Sequence, residues 1–199
     1  MADQAYINAV WEAVPEGAEP ELFDVRRTFL LDHVEPGDQV LDVGCGEGAF
    51  ADAIAGLDAV PICVEVADEP LRRLRARFPH LNDVRRAAAG EPLPLADAEA
   101  DAVWAGEVVE HVVDVGAFAT ELRRVLKPGG PLVLTTPDHN RALLARFAAN
   151  PHLFDEHFWP YADHLRFFTS RTLTTVLDDA GFADVTLTSE HGHLMAVAR

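Results

Sequence analysis

Val40-Leu41-Asp42-Val43-Gly44-Cys45-Gly46-Glu47-Gly48 sets a short apolar run directly against a glycine-spaced turn. Pro36-Gly37-Asp38 turns the chain into this run, and residues 39–43 read as a buried strand. Without Cβ atoms, Gly44, Gly46 and Gly48 let the backbone turn sharply and let a ligand approach the main chain before the helix expected over 48–56. The glycines alone fit a dinucleotide equally well. Two acids shift that balance. Asp42 sits in the strand end, two residues before Gly44, where a carboxylate suits a cationic amine better than a pyrophosphate. Glu65 closes the strand expected over 60–65, where an acid can accept both hydroxyls of a ribose. The plainer alternatives are that Asp42 caps the following helix and that Glu65 is a solvated strand end.

Outward from this segment the pattern alternates. Before it, helices are expected over 4–14 and 20–34, separated by Pro15-Glu16-Gly17; the second carries Leu22, Phe23, Val25, Phe29, Leu30 and His33 on roughly one face. After it come an arginine-rich helix over 68–78, a weak strand near 83–87, a strand at 102–105 and a helix over 115–126 stopped by Lys127-Pro128-Gly129-Gly130. An apolar strand over 131–136, helices over 140–149 and 170–180 (capped by Thr169 or Ser170), and strands near 184–189 and 193–198 complete the chain. Strand and helix in alternation predict one doubly wound α/β domain with a mostly parallel sheet and helices on both faces. The short turn at 189–192 leaves no room for a crossover, so the final pair is expected to be antiparallel.

Four blocks now stand in order. VLDVGCGEG resembles the first signature of class I (Rossmann-like) S-adenosylmethionine-dependent methyltransferases, and Ile62-Cys63-Val64-Glu65-Val66 resembles the second. Leu93-Pro94-Leu95-Ala96-Asp97 with Asp101-Ala102-Val103 resembles the approach to the fourth strand, and Leu122 through Gly130 the turn before the fifth. The resemblance, which extends to the ubiquinone-pathway O-methyltransferase group, implies a seven-stranded sheet with an antiparallel last strand and S-adenosylmethionine as cofactor. It implies that Gly44 and Gly46, with Cys45 between them, approach the methionine part, that Asp42 supports the amine, that Glu65 holds the ribose and that Val66 packs on adenine. Gly106 and Glu107 complete the set at the end of the fourth strand. Many relatives carry an Asp four residues before the Leu-Pro of the third block; Ala89 stands here, so backbone near Ala88–Gly90 or the Glu91 side chain takes that place.

Methyl transfer from a sulfonium is an in-line displacement, which alignment of nucleophile and methyl largely promotes. A hydroxyl acceptor also needs a base or a metal for its proton. Candidates follow the fourth and fifth strands, beyond whose carboxyl ends ligands bind in such sheets. Glu107-Val108-Val109-Glu110-His111 would bring Glu107, Glu110 and His111 together if helical. The block resembles the E-x-x-E-H of ubiquinone-pathway O-methyltransferases and small-RNA 2′-O-methyltransferases, in which a later histidine joins. His164, after Asp163, stands at that place, giving Glu107, Glu110, His111 and His164 as the set for a divalent ion such as Mg. Without a metal, His111, His139 or His164 is the expected base. The aromatic and histidine-rich stretch 138–168, with Phe147, Phe154, His157, Phe158, Trp159, Tyr161 and Phe167, reads as a substrate lid, and residues 1–35, with Trp11, as a helical cap.

Composition narrows the partners. Thirty-three acidic against sixteen basic residues give a formal charge of −17, and Lys127 is the sole lysine. Such a surface repels phosphate backbones, so nucleic acid is an unexpected partner and RNA 2′-O-methylation the weaker of the two methyl-transfer readings. The best basic candidate, Arg72, Arg73, Arg75 and Arg77, reads as a solvated helix face. Cys45 and Cys63 lack disulfide or zinc spacing. No long apolar run and no secretory signal are read, which predicts a cytoplasmic protein without a membrane span. The expected acceptor is a small molecule, methylated at a hydroxyl oxygen. A nicotinamide-binding oxidoreductase or a non-catalytic cofactor-binding protein are the readings from other classes. Oligomeric state is not legible.

Overall fold

The structure, a computed structural model, describes residues 4–159 and 164–199. Tyr161, expected in the lid, and Asp163 lie outside the described residues. In chain order the elements are α1 (Gln4–Ala13), α2 (Phe23–Leu31), β1 (Gln39–Val43), α3 (Ala49–Ala55), β2 (Val60–Glu65), α4 (Asp68–Arg77), β3 (Val84–Arg86) and β4 (Ala102–Gly106). Then follow α5 (Val115–Val125), β5 (Leu132–Pro137), α6 (Arg141–Ala149), α7 (Pro151–His157), α8 (Ser170–Asp179), β6 (Val185–Glu190) and β7 (His193–Ala198). A single 3-10 turn, Val109–His111, separates β4 from α5.

Among the described residues the strands form one seven-stranded sheet in the order β3-β2-β1-β4-β5-β7-β6. The first five pair in parallel, whereas β7 lies antiparallel between β5 and β6. The strand expected to be antiparallel is therefore inserted inside the sheet. Its residues are buried along the whole length of β7 because it has neighbours on both edges. In β1, Asp42 registers with Cys63 of β2 on one side and Trp104 of β4 on the other. The strand order reverses between β1 and β4, and the crevice at such a reversal is where open α/β sheets bind ligands.

Alternation along the strands divides the core. Leu41, Val43, Ile62, Val64, Val103, Leu132 and Leu134 pack beneath α5 and α8, on Leu122, Val125, Leu173 and Leu177. The opposite face sets Val40, Trp104 and Val133 against Leu30 of α2 and Phe50 and Ile54 of α3. Asp42 projects on this second face, since side chains two apart share a side.

Two elements differ from the sequence expectation. The helix expected over 20–34 is limited to Phe23–Leu31, because Leu22 takes a left-handed conformation (φ 51°) that breaks it from the Pro20 turn. The stretch 138–168 carries a second helix, α7, that was not expected. Asn150 Oδ1 accepts the amides of His152 and Leu153, and Pro151, whose fixed φ suits a first helical position, opens it.

Candidate active site at the strand ends

The glycine turn continues the sheet before leaving it. The amides of Gly44 and Cys45 both donate to the carbonyl of Val64, at 2.8 and 3.2 Å. Gly44, Gly46 and Gly48 all adopt positive φ, at 70°, 52° and 86°. A Cβ on Gly44 would lie 2.6 Å from Val108, and one on Gly46 would lie 2.8 Å from the Trp11 ring. The missing side chains thus let Val108 and the Trp11 ring pack directly against the turn.

In keeping with its plainer reading, Asp42 serves the first turn of α3. The Ala51 amide, in the first turn of α3, donates to its carboxylate. Oδ2 is buried with no partner among the described residues. Burial, reinforced by the neighbouring Glu65, raises its pKa from 3.8 to about 7. Such a carboxylate is pre-positioned for a cation. Glu65 is no solvated strand end: its Oε2 accepts from Gly46 N at 3.1 Å, and its Oε1 from Val66 N and Ala67 N at 2.7 and 3.1 Å. It ties the glycine turn to the end of β2. Burial raises its pKa, against the pull of those three amides. The thiol of Cys45 is held well above its ordinary range by the hydrogen bond with Cys63 and by burial. Half-buried Ala89 and exposed Gly90 form a turn beyond β3, closed by Glu91 N donating to Ala88 O at 3.1 Å.

At the end of β4 the expected helical spacing fails. Glu107 has φ 58°, a left-handed conformation costly for a residue with a side chain, and only the 3-10 turn follows. Glu107 therefore leaves the expected four-ligand set. Its Oε2 lies 3.3 Å from His193 Nε2 and its Oε1 4.0 Å from the guanidinium of Arg26. Glu107 ends up below its ordinary pKa despite the opposing cost of burial, through its bonds to His193 and the charge of Arg26, and His193 is raised in return.

Glu110, His111 and His164 do converge, with one ligand atom from each within 4.8 Å of the others. The backbone causes this: Leu165 N and Arg166 N both donate to Glu110 O, at 2.8 and 2.9 Å, docking His164 beside the turn. The His111 and His164 ring centroids are 4.9 Å apart. Glu110 is 0% exposed, with Oε2 accepting from Thr136 Oγ1 at 3.0 Å and Oε1 lacking a hydrogen-bond partner among the described residues. Burial and the Glu107 carboxylate raise its pKa to about 8. His139 is elsewhere. Its ring packs on His157 and Phe167 at 5.2 and 4.9 Å in the aromatic cluster of the 138–168 stretch, and burial, with the His157 charge, lowers its pKa.

Arg26, Thr135 and His193 were not singled out from sequence. Arg26 is 3% exposed, donates from Nε to Thr135 Oγ1 at 3.1 Å and lies over Phe50 and Trp104 at 4.9 and 5.6 Å. A signal existed: Arg26 falls between Leu22–Phe23 and Phe29–Leu30 on the apolar face of its helix, where a lone cation needs a buried partner. Arg73 corrects a second expectation. It is buried and bonded to Glu47 at 2.8 Å, so the arginine cluster of α4 is not wholly a solvated face.

A seven-stranded sheet with a glycine turn, two buried acids and a second polar cluster at its carboxyl edge gives a Rossmann-like α/β fold. Residues 16–187 match the family model described as a methyltransferase domain, and the chain belongs to that family, in its class I form. It is similar to a probable S-adenosylmethionine-dependent methyltransferase of Mycolicibacterium smegmatis, 36% identical over 163 residues that span 81% of this chain and 59% of the relative. It is also similar to the ubiquinone biosynthesis O-methyltransferase of Dinoroseobacter shibae, 33% identical over 153 residues, 75% of this chain and 61% of the relative. The chain thus spans about three fifths of the length of these relatives. In fold it is similar to the S-adenosylmethionine-dependent methyltransferase from Aquifex aeolicus, with a TM-score of 0.68, 18% identity and coverage of 98% of this chain and 97% of that one.

Proposed function

We propose that the chain binds S-adenosylmethionine and transfers its methyl group to a hydroxyl oxygen of a small-molecule acceptor. The observation that carries the reading is the buried, unpartnered Oδ2 of Asp42 beside the glycine turn, a site that suits the amine of the cofactor. Glu65 would take the ribose and Val66 the adenine, with the turn at Ala89 and Gly90 beside it. Gly44, Cys45 and Gly46 would bring the main chain to the methionine part, with Gly106 and Glu107 opposite. Residues 1–35 would serve as a cap and 138–168 as a lid over the acceptor. The similarity to ubiquinone biosynthesis O-methyltransferases favours oxygen as the acceptor atom.

Transfer forms a bond between acceptor oxygen and methyl carbon as the carbon–sulfur bond breaks, leaving neutral S-adenosylhomocysteine. The acceptor proton must go to a base, and Glu110, His111 and His164 stand together for that task. The same three residues fit a divalent ion such as Mg: a buried carboxylate oxygen without a hydrogen-bond partner beside two imidazoles is a hard-to-borderline donor set. A bound ion would lower the pKa of the acceptor hydroxyl. Glu110 would hold it from the sheet side and His111 and His164 from the loops, while Glu107 stays paired with His193.

The test is thermal stabilisation of the purified chain by S-adenosylhomocysteine compared with NAD. Stabilisation by the homocysteine product is expected, and stabilisation by NAD alone would sink the reading. For the ion, activity surviving both chelator and the double change Glu110→Ala, His111→Ala would rule out a metal at this cluster.

A further inference from the structure

We propose that α1 is a wall of the cofactor cleft, with Trp11 covering the adenosyl half and Arg73 and Glu47 as positioning residues that hold it there. This rests on the S-adenosylmethionine reading above.

The indole of Trp11 lies against the glycine turn where no side chain stands. A Cβ on Gly46 would come within 2.8 Å of its Cη2 and 3.3 Å of its Cζ2. The glycine therefore lets the indole pack directly on the turn. One turn earlier on the same face of α1, Asn8 Oδ1 accepts from Asp68 N at 3.1 Å. That amide follows directly on Val66 and Ala67, whose own amides bind Glu65. Thus α1 bridges the two segments that Glu65 joins from below, the glycine turn and the end of β2, and it spans the surface an adenosyl group would occupy.

The far end of α1 is clamped to the same turn. Arg73 NH1 donates to Glu47 Oε1 and to Val14 O, both at 2.8 Å, and its NH2 donates to Trp11 O at 3.2 Å. Glu47 Oε2 accepts from Gly17 N at 2.8 Å. Both side chains of the ion pair are only 7% exposed. A buried pair of this kind contributes little net stability compared with apolar residues, but it fixes one arrangement of the chains that meet on it. Here those chains are α1, the loop after it, the glycine turn and α4. Because Glu47 is itself in the turn, the helix is registered to the atoms that would touch the cofactor. The indole then gives a large, rigid apolar face that shields the adenosyl group from water.

Titration of the intact chain with S-adenosylhomocysteine, followed by calorimetry and by intrinsic fluorescence, tests this. Trp104 is buried in β4 and Trp159 lies in the 138–168 stretch, so a signal from Trp11 can be assigned by substitution. Binding should change the emission of the wild-type chain, and that change should vanish in Trp11→Phe. Trp11→Ala and Arg73→Met should each raise Kd about tenfold, with faster dissociation, in chains that circular dichroism shows to be folded. An unchanged Kd in folded Trp11→Ala, or an emission change that persists in Trp11→Phe, overturns the proposal while leaving the cofactor reading intact. Should Trp11→Ala not fold, the comparison of wild type with Trp11→Phe decides. No binding by wild type overturns both.

Discussion

The unpartnered oxygen of Asp42 ties stability to function at a single residue. Its carboxyl keeps its proton to about pH 7 in the folded chain, against 3.8 as the ordinary value. Between those limits the folded state binds more protons than the unfolded one, so this group lowers stability as pH rises from about 4 to 7 and no further above that. Asp42→Asn should remove that slope. Urea denaturation at pH 5 and pH 8 should show the variant gaining on wild type at pH 8, by up to about 3 kcal/mol, while losing affinity for S-adenosylhomocysteine. A variant with the wild-type pH profile would show that Asp42 is already paired. Gly106 faces a different constraint. A Cβ there would sit 2.3 Å from Trp104 and 2.5 Å from Arg26 NH2. Gly106→Ala should cost roughly 1–3 kcal/mol by overpacking, read from its denaturation midpoint.

The helices of the 138–168 stretch are held at their ends more than along their lengths. No described residue of α6 is buried, and Phe154, Phe158 and Phe167 are exposed. The base is firm: Asp138 Oδ2 accepts from Asn140 and Ser189, and His139 N donates to Phe168 O. Amides of α6 and α7 should therefore exchange on the order of a hundredfold faster than those of β5, as local opening is cheapest where little apolar surface is buried. Equal protection in hydrogen exchange would mean that this stretch is part of the core. By contrast α8 is anchored by a capping box between Thr169 and Thr172 and buries Leu173 and Leu177. Thr169→Ala should lower stability by about 1 kcal/mol, measurable in a thermal melt. The cap was legible in the sequence because Thr169 precedes an apolar periodicity. The helix α7 was not, since its face packs on neighbouring aromatic rings instead of on the sheet.

At the scale of the molecule, charge dominates. A formal charge of −17 makes the compact state repel itself. Raising NaCl from about 0.01 to 0.15 M should raise Tm, because the screening length falls from roughly 30 to 8 Å. A flat or falling Tm would show that the acids are locally neutralised. Much of that acid is in fact paired at the surface, as Arg85 with Asp83 and Glu99 and Arg124 with Asp97 and Glu121 show, so the rise should be modest. No helix among the described residues is long and apolar enough to cross a membrane.

The sequence by itself determined the sheet and the glycine turn, because both follow from short-range periodicity. Apolar strands, glycine spacing and the tight final hairpin constrain the chain whatever its neighbours are. Glu65 and Asp42 were legible for the same reason, being fixed to strand ends whose register is local. The polar network beyond β4 and β5 was decided by tertiary structure alone. Glu107 is itself left-handed and Glu110 lies in the 3-10 turn that follows, an arrangement no helical spacing anticipates. Arg26, Thr135 and His193 come from three distant elements, and they meet because burying Glu107 demands compensating charge and hydrogen bonds from whatever packs there. Trp11 meets Gly46 where α1 is held by the buried Arg73–Glu47 pair and by Asn8, contacts between segments whose spacing in the chain carries no periodic signal.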